Sequence, residues 1–179
     1  MRLWKSALSI LCLILLAGCA RAPGALTVRS ASVDSGLLSA HVDWRPDANV
    51  LAALDHGIAL DFLVQVRAEG DARFGVLRPT LASSERHVEL RYYPLSRQYQ
   101  WHDLDRGETR SYAARALLLA ALEDLRLPLA GFEAHGARRF TLAIALDRST
   151  LPGALRVPAL LDPQWHISSG EYAWSAPAG

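Results

Sequence analysis

The chain has 179 residues, with 19 Lys+Arg against 18 Asp+Glu, and its cysteines are Cys12 and Cys19. That is one domain's worth of chain, with no basic excess to attract nucleic acid and no acidic tail. Lys5 is the only lysine and Met1 the only methionine, so nothing beyond them can supply a Schiff-base lysine or a methionine-rich metal site.

Arg2 and Lys5 precede an almost wholly apolar stretch from Ala7 to Leu16. About ten residues fit a signal h-region and fall short of the roughly 20 that a spanning helix needs. Leu16-Ala17-Gly18-Cys19 follows, an apolar residue and two small residues before a cysteine, the pattern read by lipoprotein processing. The small residues fit a narrow peptidase site, and the Cys19 thiolate is the nucleophile that accepts a diacylglyceryl group. The expectation is a lipoprotein signal peptide over 1–18, a lipidated tether over 19–25 and one β-rich domain over 26–179. Ala20-Arg21-Ala22 keeps a second processing site open, which would release a soluble periplasmic protein. Several acyl chains on Cys19 would hold the domain stably at the periplasmic face of a membrane, and Ala20 after the cysteine favours the outer one. The processed chain carries 17 arginines against 18 acids and, with Cys19 acylated, has no thiol for a disulfide.

Taken in order, Leu26 and Val28, then Leu38, Ala40, Val42 and Trp44, alternate with polar residues around Ser35-Gly36, which predicts a β-hairpin. Asp47 to Leu54 predicts a short helix, capped by Asp47 and ended by Gly57. Ile58, Leu60, Phe62, Val64 and Val66 recur at period two, the clearest strand in the chain. After the turn at Glu69-Gly70-Asp71, Phe74, Val76 and Leu81 suggest a short edge strand limited by Pro79. His87 to Tyr93 is a strand, Pro94-Leu95-Ser96 a turn, and Tyr99 and Trp101 open the next strand, followed by a turn over Asp103 to Gly107. Ser111 to Arg126 predicts the main helix, capped by Thr109 or Ser111 and stopped by Pro128. Arg139 to Asp147 is a strand. Pro152, Pro158 and Pro163 then argue for an edge strand or packed loop, and a last strand carries Tyr172 and Trp174. Long strands joined by turns, with one main helix, predict a mostly β (α+β) fold, an antiparallel β-sandwich or curved sheet with that helix packed on it.

No nucleophile elbow, zinc-protease helix motif, P-loop or dinucleotide turn is present. The six histidines are spread singly, whereas a metal needs three or four converging ligands. The expectation is therefore no enzyme, no metal and no cofactor. Tyr93, Tyr99, Trp101, Trp165 and Trp174, with Arg91 and Arg97, are the candidate binding residues, because exposed Tyr, Trp and Arg mark interfaces. Core and inter-strand packing is the commoner role of such aromatics and the reading weighed against it. A carrier of a small apolar ligand or lipid, with a cavity lined by Phe62, Tyr92 and Trp101, is the other reading.

The run Tyr92-Tyr93-Pro94-Leu95-Ser96-Arg97-Gln98-Tyr99, the helix after Tyr112, the segment Leu151-Pro152-Gly153-Ala154-Leu155-Arg156 and the ending Trp165-His166-Ile167-Ser168-Ser169 through Tyr172 and Trp174 resemble an uncharacterised proteobacterial family of exported proteins. Its members are labelled as a domain of unknown function or as a "proline-rich signal peptide protein". The resemblance covers about Leu26 to Trp174. It implies no reaction, cofactor or catalytic residue. It does imply an envelope setting, since members are often encoded beside a nitrogen-regulation-type sensor histidine kinase, whose periplasmic region would be a partner.

Overall fold

A computed structural model describes residues 25–72 and 77–176. The opening hairpin joins β1 (Leu26–Asp34) to β2 (Leu37–Trp44). Ser35 and Gly36 both take positive φ, 49° and 75°, as a two-residue hairpin turn matched to strand twist requires. Helix α1 (Ala48–Asp55) starts where Asp47 accepts from the Asn49 amide at 2.9 Å. It ends with Gly57 N–H donating to Leu54 O and Ile58 N–H to Ala53 O, a Schellman closure.

β3 (Leu60–Glu69) follows, its even-numbered residues from Leu60 to Ala68 fully buried. β4 (Thr80–Tyr93) is longer than the strand expected over His87–Tyr93. Ser83, Ser84 and Glu85 carry no apolar alternation, yet each is laddered opposite β3, so pairing rather than burial makes them strand. Leu81 belongs to this strand and is half-exposed; Phe74 and Val76 lie outside the described residues. β5 (Gln98–Asp103) and β6 (Glu108–Tyr112) form the next hairpin.

Two expectations fail here. The main helix, α2, covers only Arg115–Glu123 and has no side-chain cap. Thr109 and Ser111 lie in β6 instead, and Asp124–Pro128 forms a strand, β7. Leu125 carries helical spacing from Leu118 and Leu122, but Leu125 and Leu127 also alternate with Arg126. Pairing with β2 (Ala40 opposite Leu125, Leu38 opposite Leu127) buries both, so the ladder overrides intrinsic helix preference. After β8 (Arg139–Leu146) the proline segment forms neither edge strand nor loop but a helix, α3 (Gly153–Leu161), with Pro158 inside it. Pro152 sets the entry, and its carbonyl accepts from Leu155 and Arg156. A 3₁₀ turn over Pro163–Trp165 leads to β9 (Ser168–Ser175).

The strands make two antiparallel sheets, β1-β2-β7 and β6-β5-β4-β3-β8-β9. Their inner faces meet through Trp44, set edge-on to Phe62 at 5.2 Å, and β1 lies against β9. α1 and α2 pack on the same inner side, burying Val50, Leu54, Leu118 and Leu122 in the common core. The fold is thus the β-rich, sandwich-like α+β class read from the pattern, and most of the described residues on the outer face of the six-stranded sheet are half-exposed or exposed, with Asp61 and Thr141 buried.

Candidate interaction face

The outer face is built from the odd positions of β3 and β4 and the even positions of β5. Register places His102 opposite Glu89 and Glu89 opposite Asp61. The Asp147 amide, just past β8, donates to Asp61 O at 2.7 Å, which extends the line by one strand. His102, Glu89, Asp61 and Asp147 therefore form one row across four strands, with directly opposed side chains about 5 Å apart at Cβ. Two carboxylates opposite one another repel when both are charged. Asp61 is 8 % exposed, and its Oδ1 is buried without a hydrogen-bond partner. Burial raises its pKa above the usual carboxylate value, reinforced by the Asp147 charge and opposed by the Thr150 hydroxyl. Glu89 is raised as well, by burial first and by Asp61 second. Asp147 goes the other way, because the Ser149 hydroxyl and amide hydrogen-bond its carboxylate.

Toward the β4–β5 turn the face changes from acidic to cationic and aromatic. The Arg91 guanidinium lies 5.2 Å from the Tyr93 ring centroid and its Nε donates to Gly57 O at 3.3 Å. Gln100 and Gln98 stand opposite these two residues. Gln65 donates to Glu85 at 2.9 Å further along the sheet. This is a mixed polar surface with rigid aromatic and guanidinium groups at one rim.

The seven candidate residues do not converge on it. Arg91 and Tyr93 do. Tyr92 and Tyr93 point to opposite sides as adjacent strand residues must, and Tyr92 lies inward against Tyr99 at 4.6 Å. Tyr99 is thus on the inner side, where its hydroxyl donates to Asp55 at 2.8 Å while Arg115 holds the other oxygen of Asp55. Burial and that carboxylate both raise the Tyr99 pKa. Arg97 is exposed in the turn with φ 53°. Trp101 is 1 % exposed and Trp165 4 %, so both are core residues and belong to no exposed patch; Arg110 covers the Trp101 ring at 4.9 Å. Trp174 faces inward on β9, stacked on Phe140 at 5.4 Å. Phe62 and Trp101, expected to line a carrier's cavity, pack in the core instead.

Among the described residues no group of three or more His, Asp or Glu is placed to hold a metal ion. His41 meets Asp124 at 3.1 Å, Asp43 meets Arg29, and His102 lies on the opposite side of β5 from Asp103. No described helix is long and apolar enough to cross a membrane.

A family model described as "Domain of unknown function (DUF4390)" matches residues 25–175. The chain belongs to the DUF4390 family. The match spans the whole sandwich, from the start of β1 to the end of β9. No curated protein and no solved structure matches it. The row across this DUF4390 face is not legible in the sequence. Asp61 and Glu89 are visible there as polar positions within strands, but only register makes them neighbours.

Proposed function

We propose that this DUF4390 chain is a membrane-anchored envelope lipoprotein, acylated at Cys19, whose domain is a non-enzymatic interaction module. Its outer sheet face would receive another envelope protein on the periplasmic side, the outer membrane being favoured by Ala20. The observation that carries the reading is the outer face itself. It is six strands wide and flanked by Arg91 and Tyr93, a pair of the kind enriched at binding hot spots. The Leu16-Ala17-Gly18-Cys19 sequence supports the address. The envelope setting implied by the family resemblance makes the periplasmic region of a sensor kinase a partner to look for.

The test is in-cell crosslinking, purification from native membranes and mass spectrometry of what is recovered. The expected result is a reproducible protein partner, lost with Tyr93→Ala or Arg91→Ala while the melting temperature stays within a few degrees. Intact mass should carry three acyl chains at Cys19, and Cys19→Ser should move the protein to the soluble fraction. A bound lipid or small molecule without any protein partner would sink the interaction reading in favour of a carrier.

A further inference from the structure

One end of the molecule gathers features that point to a surface it rests on. Ala25 O accepts from the Arg45 amide at 3.2 Å, and Arg45 leads directly into Asp47 and α1. Asn49 in the first turn of α1 donates to Gln164 at 2.8 Å, and the Gln164 amide donates to Asp162, the residue that ends α3. Gly57 at the other end of α1 lies against Tyr92 O and Pro94, which brings in the β4–β5 turn. The point where the chain enters the domain, α3 and that turn therefore share one end.

At this end α3 is turned inside out. Ala159 is its buried residue. Val157, Leu160 and Leu161, which share the opposite stripe at spacings of three and four, are 64 %, 61 % and 79 % exposed. Leu95 at the tip of the turn is fully exposed. Arg148 and Arg156 flank the apolar stripe, and among the described residues they donate to backbone carbonyls, Ala159 O and Leu151 O. Together with Leu146, Leu160, Asp147 and Ser149 they line an open groove of about 470 Å³. The acids nearby are half-exposed and each accepts from a local amide: Asp47 from Asn49, Asp147 from Ser149, Asp162 from Gln164. At the far end, by contrast, Arg138 and Arg139 face Asp71 and Glu69.

We infer that this end docks on an anionic bilayer, Val157, Leu160, Leu161 and Leu95 entering the headgroup layer while Arg97, Arg148 and Arg156 meet lipid phosphates. The inference rests on the lipid-anchor reading for its address. Residues 20–25 cannot span more than about 20 Å, so an acylated Cys19 would hold this end, and no other, within reach of the membrane. Anchoring also turns a weak contact into an intramolecular one. Basic groups over an anionic leaflet and apolar side chains at the acyl boundary are the usual terms of interfacial binding. The contact would fix the tilt of the domain and leave the outer sheet face standing upright, free for a partner.

The experiment uses the processed protein reconstituted in phosphatidylethanolamine–phosphatidylglycerol vesicles, with an environment-sensitive fluorophore on Leu160→Cys or, at the far end, on Leu81→Cys. Brominated lipids should quench the label at position 160 at least twofold more than at 81, and Arg148→Gln with Arg156→Gln should abolish that difference. Equal quenching at both positions, with Cys19 shown by intact mass to be acylated, overturns the docking. If Cys19 proves unmodified, the anchor reading fails by itself, and docking is then decided by flotation of the unlipidated protein with the same vesicles. Binding that falls about fivefold for each arginine removed, and with Leu160→Asp and Leu161→Asp at unchanged melting temperature, supports docking; no flotation overturns it.

Discussion

Arg86 and Asp103 are the pair of charges that the core tolerates. Their side chains are 6 % and 4 % exposed, and one guanidinium nitrogen donates to both carboxylate oxygens at 2.7 and 2.6 Å. Asp103 also accepts from the amides of Asp105 and Arg106 at 3.2 Å, which shapes the β5–β6 turn. Removing two charges from water is expensive, and truncating one partner leaves the other buried and unpaired, a loss of roughly 3–5 kcal/mol. Asp103→Ala is therefore expected to lower the unfolding free energy by about that amount, read by urea titration. The double change Arg86→Met with Asp103→Leu should recover most of the loss, because an apolar pair leaves no orphan charge. A loss below about 1 kcal/mol in the single variant would mean water reaches the pair. In the sequence these residues are two among many charges, and nothing in their spacing marks them as inward-facing. Pairing of β4 with β5 makes them neighbours.

Among the elements, the helices differ in how they are held. α1 has Asp47 at its start and a Schellman closure at its end, both legible in the sequence. Gly57 closes it at φ 82°, and a Cβ there would come within 3.1 Å of Tyr92 O. A left-handed conformation costs an L-residue roughly 1–2 kcal/mol. Gly57→Ala is thus expected to destabilise by at least about 1 kcal/mol, seen as a lower urea midpoint with unchanged slope. Gly107→Ala serves as the comparison, since it shares the positive φ but its Cβ would meet nothing within 4 Å. Equal losses at the two positions would remove the steric part of the argument. α3 lacks a side-chain cap and contains Pro158. Three prolines rule out a central strand, but they do not rule out a helix. Pro152 at the N-cap starts it, and Pro158 forfeits one internal bond of a short helix. The Ser111–Arg126 expectation fails for the opposite reason. Intrinsic preference and spacing both favour helix to the end, but an unpaired edge of β2 offers Asp124–Pro128 a ladder.

At the scale of the whole molecule, the row on the outer face makes stability depend on pH. Asp61 and Glu89 hold protons more tightly folded than unfolded, so the stability they confer is present in acid and lost as pH rises from about 4 through their raised values. Asp147, lowered, contributes stability that is present above about pH 4 and lost as pH falls. Thermal melts across pH 4–8 are expected to show a decline on the alkaline side that Asp61→Asn reduces, with a higher melting temperature than the parent at pH 8. An Asn variant with the parent's slope would place the proton elsewhere. A partner that covers this row would change its solvation, so its binding should vary over the same pH window.

The alternation of Leu60 to Val66, the turn at Ser35-Gly36, the caps of α1 and the Leu16 to Cys19 pattern are decided locally, and the sequence alone carries the fold class and the expected address. Period two and left-handed turns are properties of a few adjacent residues, which is why they can be read there. Register, burial and proximity are not. That Trp101 is core while Tyr93 is surface, that Glu89 faces Asp61, and that the Pro158 helix lies at the same end as Ala25 depend on which strand lies next to which. Those choices are made by long-range pairing and by the common core, and only the tertiary structure holds them.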